Sequence, residues 1–458
     1  MRFTNKALAV SAIAAASLLS VTACGSGSSN PKAGGGGGSA TAGGGGGGGG
    51  ASLNGVSYDV LGQWTGGEQA AFQAVINNFD QKTGAKGHYT PAAGGDEAGV
   101  LGTKVAGGTP PDIAILSLPG AIAQYASSNK IYPVTSQVQQ AVSSNFASQW
   151  GTLGSYKGKM YCVPVDASNK STVWYNSTLF QNAGISSPPT TWPDLIKDAK
   201  TLSSSGVSVP ISVGGGDGWT LTDWFENVYL RTAGVNMYDK LTQHKIKWTD
   251  PSVATALNTL KQIWGDPNLI GSPQNAVKVP FTASVDNVFK KSPTSAIVYE
   301  ASFVATTITG DKDPAKVGVT AKVFPFPSIN GSGKVVEAAG DFGCAFTKNK
   351  AAQQFLAYLA SPEAAKLLVG TTGSGFLSVN KNVPSSAYND STSAQLAKQM
   401  VQVGNNFRFD MSDQYPAAFG GTPNKGEWGD LQTFLTNGNV KAAQQQLEKD
   451  AAAAMKSS

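Results

Sequence analysis

The chain alternates between two periodicities. Short apolar runs of four to eight residues carry the strand signal, and stretches with apolar residues at i, i+3, i+4 and i+7 carry the helix signal. Leu53 to Gln63 reads as a strand. Gln69 to Gly84 follows as a helix, with Phe72, Val75, Ile76 and Phe79 on one face and Gly84 as its stop. Ile113 to Leu116 reads as a buried strand, and Pro119 opens a helix through Ile122 and Tyr125. Tyr161 to Val165 and Thr172 to Tyr175 are extended segments separated by the polar patch Asp166, Ser168, Asn169 and Lys170. Pro164 cannot donate to a ladder, so the first segment suits an edge or a crossing.

Farther on, Thr191 opens a helix through Leu195, Ile196, Ala199 and Leu202 that closes at Gly206. Val207 to Val213 reads as a strand followed by a glycine-rich loop, 214–220. Asp250 and Pro251 form an N-cap with proline at the first helical position, before the stripe Val253, Leu257, Leu260 and Trp264. Ser295 to Tyr299 and Val317 to Phe324 are further strands, Ser361-Pro-Glu is a second N-cap of the same kind, and 439–456 is an amphipathic helix. This β-α alternation predicts an α/β fold with helices packed on sheets. After the leader and the glycine runs, about 400 residues exceed one ordinary core and predict two lobes. An apolar strand that breaks into Asp-Ala-Ser-Asn-Lys and resumes is a candidate lobe crossing.

Composition changes the picture at the N-terminus. Residues 1–23 have a basic start (Arg2, Lys6) and an apolar run from Ala7 to Val21 that is too short for an ordinary spanning helix. They read as a signal peptide. Val-Thr-Ala-Cys, ending at Cys24, resembles the bacterial lipobox, in which the cysteine is lipidated. Residues 24–52 then read as a lipidated cysteine and a disordered Gly-rich tether, because nothing apolar offsets the entropy of ordering glycine. As a flexible coil it reaches about 30 Å. The expected location is the extracellular face of the cytoplasmic membrane, with the lipid on Cys24 as the anchor.

Charge and chemistry exclude several classes. Charged residues make up only 14% and the net charge is +5, which falls to +3 when Arg2 and Lys6 leave. No basic cluster with interleaved aromatics occurs, so nucleic acid is not an expected partner. His88 and His244 are the only histidines, which disfavours a multi-histidine metal site or a Ser-His dyad. No HExxH, CxxC, G-x-S-x-G or Walker A pattern is present. No cofactor is expected.

Several stretches, in their order along the chain, resemble extracellular solute-binding proteins of carbohydrate ABC transporters, and within them the α-glucoside-type binding proteins. They are Gly-Gly-Thr-Pro-Pro-Asp-Ile-Ala-Ile-Leu (107–116), the 158–176 stretch, Gly-Trp-Thr-Leu-Thr-Asp-Trp-Phe-Glu-Asn-Val-Tyr-Leu-Arg-Thr-Ala-Gly (218–234), Ala-Ala-Gly-Asp-Phe-Gly-Cys-Ala-Phe (338–346) and Phe-Asp-Met-Ser-Asp (409–413). The resemblance implies a periplasmic-binding-protein-like fold of type II: two α/β lobes joined by a multi-strand hinge, with the ligand site between them. It places 53–165 plus 343–404 in lobe 1 and 166–342 plus 405–458 in lobe 2. It implies a monomer that binds a small sugar, such as an α-glucoside or other oligosaccharide, delivers it to ABC transporter permease subunits, and catalyses nothing.

A sugar presents apolar C–H faces to flat rings and hydroxyls to carboxylates and amides. The residues expected to bind it are Trp64, Glu68, Ser117, Asp166, Asn169, Trp219, Asp223, Trp224, Glu300, Phe303, Asp341, Asp413 and Trp428. Trp224 reads equally well as helix core, and Lys170 as a solvated charge. The family often has Trp where this chain has Phe303, which leaves ligand size open. Two other readings stay open: a secreted carbohydrate-active enzyme using paired carboxylates such as Asp166 with Glu300 or Asp341, and a tethered surface protein that binds a macromolecule. In the family fold the two crossings run side by side. The resemblance therefore implies that Cys162 and Cys344, exported into an oxidising compartment, form a disulfide although they are 182 positions apart.

Overall fold

The computed structural model describes residues 52–92, 97–310 and 315–457. The signal peptide and Cys24 lie outside the described residues.

Fourteen described strands occur in chain order: β1 (Ser57–Gly62), β2 (Lys86–Pro91), β3 (Ile113–Leu116), β4 (Ser155–Tyr156), β5 (Lys159–Met160), β6 (Cys162–Pro164), β7 (Ser168–Asn169), β8 (Thr172–Asn176), β9 (Ile211–Ser212), β10 (Ile297–Tyr299), β11 (Ala321–Pro325), β12 (Val336–Ala339), β13 (Phe342–Ala345) and β14 (Phe407–Phe409). They form a five-stranded sheet β2-β1-β3-β13-β6, a four-stranded sheet β11-β8-β10-β9, a three-stranded sheet β14-β12-β7 and the hairpin β4-β5. In the first sheet β1 runs parallel to β2 and β3, and β13 runs antiparallel to β3 and β6. β6 is an edge strand, which tolerates Pro164.

The three-stranded sheet lies where the chain changes sheets. β7 falls between β6 of the first sheet and β8 of the second. β12 falls between β11 of the second and β13 of the first, and pairs with β7 and with β14. Three chain segments are thus joined side by side between two sheets.

Period-2 alternation divides β8 between two cores. Val173 and Tyr175 belong to one apolar cluster with Ile297 and Tyr299, while Trp174 and Val298 belong to the other with β1, β3 and β13. The helix Trp219–Ala233 is buried from Thr220 to Arg231 on all its faces. It therefore forms the middle of the second lobe rather than its surface.

Most helix boundaries agree with their caps. The Thr191 and Asp250 side chains accept from the amides of Asp194 and Ser252, and Gly84 ends its helix at φ 77°. Two strands are shorter than expected. The 207–213 strand contracts to Ile211–Ser212, because Pro210 has no amide to donate and Val209 bonds to Thr294 instead. The 317–324 strand begins at Ala321, after a turn in which Val317 bridges Ala321.

Cys162 and Cys344 are paired across β6 and β13, with Cα atoms 4.4 Å apart and a disulfide between them. Asp112 accepts from the amide of Asp59 and from Asn349, and from the Thr347 hydroxyl, fastening β1 and the end of β13.

Candidate functional site

Two clusters of acidic and aromatic side chains meet beside the three-stranded sheet. The first-lobe cluster gathers at the ends of β1, β3 and β13. Asp341 stands just before β13, and the register that pairs Phe342 with Leu116 sets Ser117 beside it. The Trp64 indole donates to Asp341 Oδ2 at 3.1 Å, and Gln63 approaches at 3.4 Å. Trp64 is itself buried, with its ring against Phe72 and Phe376. Asp166 accepts the Asp341 amide at 2.8 Å, tying the two crossings together. Glu68 lies half-buried in the first turn of the helix Gly66–Thr83. That turn can form only with glycine at 67, since a Cβ there would come within 2.1 Å of the Gly373 carbonyl oxygen.

Burial raises these acids. Glu68 is pushed up to about 7 by burial and then by the Asp341 charge. Asp341 rises to about 6 by burial, restrained by the Trp64 and Gln63 hydrogen bonds. Burial, together with Asp341, lifts Asp166 well above the carboxylate range.

The second-lobe cluster is organised by the helix Trp219–Ala233. Gly218 caps it at φ 84°, and a Cβ there would lie 2.9 Å from Trp428 Cβ, so glycine lets Trp428 pack against the helix start. Trp219 is half-buried and forms a ring cluster with Phe281 (5.2 Å) and Phe303 (5.8 Å), which contact each other at 5.5 Å. Asp223, one turn along, is fully buried. Lys170 Nζ donates to Asp223 Oδ1 at 2.9 Å and to Asp410 Oδ2, and lies 5.9 Å from the Trp219 ring.

Asp410 also accepts from the Ser412 hydroxyl (2.8 Å) and the Asp413 amide (2.9 Å). Glu226, from the same helix, accepts the amides of Met411 and Ser412 and pins this 410–413 turn. One oxygen each of Asp223, Glu337 and Asp410 fall within 4.8 Å of one another, and the cation bound among them is the Lys170 ammonium.

Among the described residues of this cluster, the buried acceptors Asp223 Oδ2, Glu300 Oε1 and both Glu427 oxygens take no hydrogen bond from an N–H or hydroxyl group, and the Trp428 Nε1–H donates to no protein acceptor. The Asp223 and Glu300 carboxyl groups lie within hydrogen-bonding range of each other, and a bond between two acids requires a shared proton. Burial pushes Asp223 up to about 7, with Lys170 opposing it. Burial raises Glu300, Asp413 and Glu427 well above the usual range. Asp410 is the exception: burial opposes its charge, but Lys170 and three hydrogen bonds outweigh it and hold the carboxyl below its ordinary value.

The structure thus brings together Asp223, Trp219, Glu300, Phe303, Asp413 and Trp428 around the second-lobe helix, and Trp64, Glu68 and Ser117 with Asp166 and Asp341, which stand at the two ends of the segment expected in lobe 2 but group with the first-lobe sheet. Three readings are corrected. Trp224 is 2% exposed and its ring is surrounded by Trp192, Trp264, Tyr299 and Phe326, so it is core. Asn169 is fully buried and its side chain serves the Ser171 amide and Gln399, so it shapes the crossing. Lys170 is not solvated but buried among carboxylates. Sequence reasoning also missed Phe281, Asp410 and Glu427. Asp410 lies inside the 409–413 motif and Glu427 adjoins Trp428, so both were adjacent to a signal. Phe281 carries none beyond following Pro280.

Comparison with known proteins agrees with this architecture. Residues 63–366 of the 458 match the family of bacterial extracellular solute-binding proteins. The chain is 29% identical over 384 residues to the alpha-glucosides-binding periplasmic protein AglE of Rhizobium meliloti, covering 80% of this chain and 81% of that protein. It is 29% identical over 371 residues to the osmoprotective compounds-binding protein GgtB of Synechocystis, covering 79% and 85%. Among solved structures, the bacterial solute receptor AcbH superposes with a TM-score of 0.73 at 18% identity, over 87% of this chain and 98% of that one. The cyclic alpha-maltosyl-1,6-maltose binding protein of Arthrobacter globiformis superposes with a TM-score of 0.63 at 19% identity, over 88% and 100%. These likenesses establish the two-lobed periplasmic-binding-protein fold, and with a family match spanning most of the described residues, the chain belongs to the bacterial extracellular solute-binding proteins.

Proposed function

We propose that this protein captures a small glycoside, an α-glucoside or other short oligosaccharide, and presents it to the permease of an ABC transporter, with no chemistry of its own. One observation carries the reading. A half-buried Trp219-Phe281-Phe303 ring cluster adjoins buried carboxyl oxygens that no protein donor satisfies. Rings match the C–H faces of a sugar, and orphaned acceptors match its hydroxyl donors. The α-glucoside-binding relative agrees in ligand class. Asp223, Glu300, Asp413 and Trp428 supply the polar contacts from the second lobe, and Glu68, Ser117 and Asp341 from the first. The lobes close on the ligand by bending at the three-stranded sheet, and the permease reads the closed shape.

A thermal-shift panel of maltose, sucrose, trehalose and longer α-glucosides tests the ligand. A sugar with a dissociation constant near 1 µM, supplied at 1 mM, adds about 4 kcal/mol of apparent stability. A flat response to every sugar defeats the proposal. Lipid on Cys24 anchors the protein at the outer face of the cytoplasmic membrane. Cys24→Ala is expected to shed it into the medium or leave the leader uncleaved. A processed variant that stays on the membrane would refute the anchor.

A further inference from the structure

The second lobe confronts its ligand with many buried acids and few cations. Asp223 comes from the Trp219–Ala233 helix, Asp410 and Asp413 from the turn after β14, Glu337 from β12, and Glu300 from the end of β10. Asp341, from the first-lobe cluster, also acts on this region. Lys170 is the ammonium among them. It is 7% exposed, and its backbone is fixed as firmly as its side chain. The Lys170 carbonyl accepts from Asn227 Nδ2 at 3.0 Å and from the Tyr299 hydroxyl at 2.8 Å, and its amide donates to the Glu337 carbonyl at 2.9 Å.

We infer that Lys170 is a positioning residue of the ligand site: from the lobe crossing, its ammonium engages Asp223 Oδ1 and Asp410 and so leaves Asp223 Oδ2 as an oriented, charged acceptor for a ligand hydroxyl. The inference rests on the glycoside reading for its ligand, but its electrostatic part does not depend on which ligand binds.

Three observations support it. The two carboxylates that Lys170 grips come from chain segments 187 positions apart (410 − 223), so one ammonium sets their separation. Asp223 has one oxygen on Lys170 and the other without a protein donor, which is the arrangement of an acceptor held in readiness. The Asp223 and Glu300 acids stand close enough to share a proton, and a shared proton turns an acceptor into a donor. The Lys170 charge opposes that conversion at Asp223 and at Glu300. Above about pH 7 a sugar hydroxyl thus meets a charged acceptor, whose hydrogen bonds are about twice as strong as neutral ones.

The sign follows from linkage. Removing the ammonium lifts the Asp223 carboxyl further above about 7, so it takes up a proton near neutral pH. The test uses the full-length protein, Lys170→Met and Lys170→Arg. Infrared absorption of protonated carboxyl groups is read without ligand at pH 7.5. Lys170→Met is expected to gain about one protonated carboxyl that vanishes when Asp223→Asn is added, and Lys170→Arg to resemble the original protein. Calorimetry with maltose or trehalose is then run at pH 8 and 10, where the original Asp223 is ionised. Lys170→Met is expected to lose about tenfold or more in affinity at pH 8 and to recover most of it at pH 10.

An unchanged infrared signal, or an affinity loss equal at both pH values, overturns the inference and leaves Lys170 a structural residue. If the original protein binds neither sugar, the glycoside reading fails while the infrared comparison still decides the role of Lys170. Should Lys170→Met not fold, Lys170→Gln removes the charge while keeping hydrogen-bond donors, and the same readings apply.

Discussion

The two halves of the site hold their carboxylates by different means. On the first lobe, the Asp341 carboxyl is held by neutral donors, the Trp64 indole and the Gln63 amide, while its backbone amide donates to Asp166. On the second lobe, Asp223 and Asp410 are held by an ammonium. The ammonium alone does not decide the outcome: Asp223 still rises to about 7, above Asp341 at about 6, whereas Asp410, which adds the Ser412 hydroxyl and the Asp413 amide to the ammonium, stays below its ordinary value. The aromatic surfaces differ as well. Trp64 is locked between phenyl rings, whereas Trp219 keeps part of its surface free. The first lobe is built as a fixed rim, and the second as a charged platform on which a flat ligand face can rest.

The largest test of that contrast concerns the disulfide. It lies in the first-lobe sheet, between strands that lead directly to Asp166 and Asp341. Replacing both cysteines with alanine is expected to cost about 2–5 kcal/mol of stability, because the closed loop is long. Sugar affinity should change little, since β6 and β13 remain paired through backbone hydrogen bonds. Thermal unfolding and calorimetry on the same sample separate the two. A large affinity loss with little loss of stability would mean that the bond sets the geometry of the site, and the first lobe would no longer count as rigid by packing alone.

Much of the fold was legible in the sequence, because local signals and tertiary packing agree there. The N-caps at Thr191, Asp250 and Ser361, the stripe Phe72-Val75-Ile76-Phe79 and the buried Ile113–Leu116 strand each match their structure. The ends of the short strands were not legible, since partners distant in sequence decide how far Ile211–Ser212 extends. The site was half legible. Aromatics and acids in loops after strands mark Trp219, Glu300 and Asp341. Periodicity cannot say which aromatic of a wholly buried helix faces the ligand: Trp219 and Trp224 lie in one motif, yet only the first leaves the core. A lone Lys170 in a polar patch resembles a solvated charge until Asp223 and Asp410 are seen beside it.

A smaller and sharper test pairs Trp64→Phe with Trp219→Ala. Phenylalanine at 64 keeps a ring against Phe72 and Phe376 but removes the 3.1 Å bond to Asp341. Loss of a hydrogen bond to a charged group costs about 1.5–3 kcal/mol. The cost applies to the ionised acid. Asp341 has a folded value of about 6, raised from 3.8, so its ionisation already weakens the fold as pH rises through that interval. Without the indole the folded value rises further, and the deficit of Trp64→Phe is therefore small at pH 5 and full at pH 8. Trp219→Ala removes a half-buried ring from a platform rather than a locked one. It should leave unliganded stability nearly unchanged at both pH values and lower sugar affinity about tenfold or more. Unfolding at pH 5 and pH 8, with calorimetry at pH 8, reads both variants. If Trp64→Phe shows the same deficit at both pH values, the indole serves packing and not the carboxylate. If Trp219→Ala destabilises the unliganded protein as strongly as Trp64→Phe does, the two rings play one structural role, and the division into rim and platform fails.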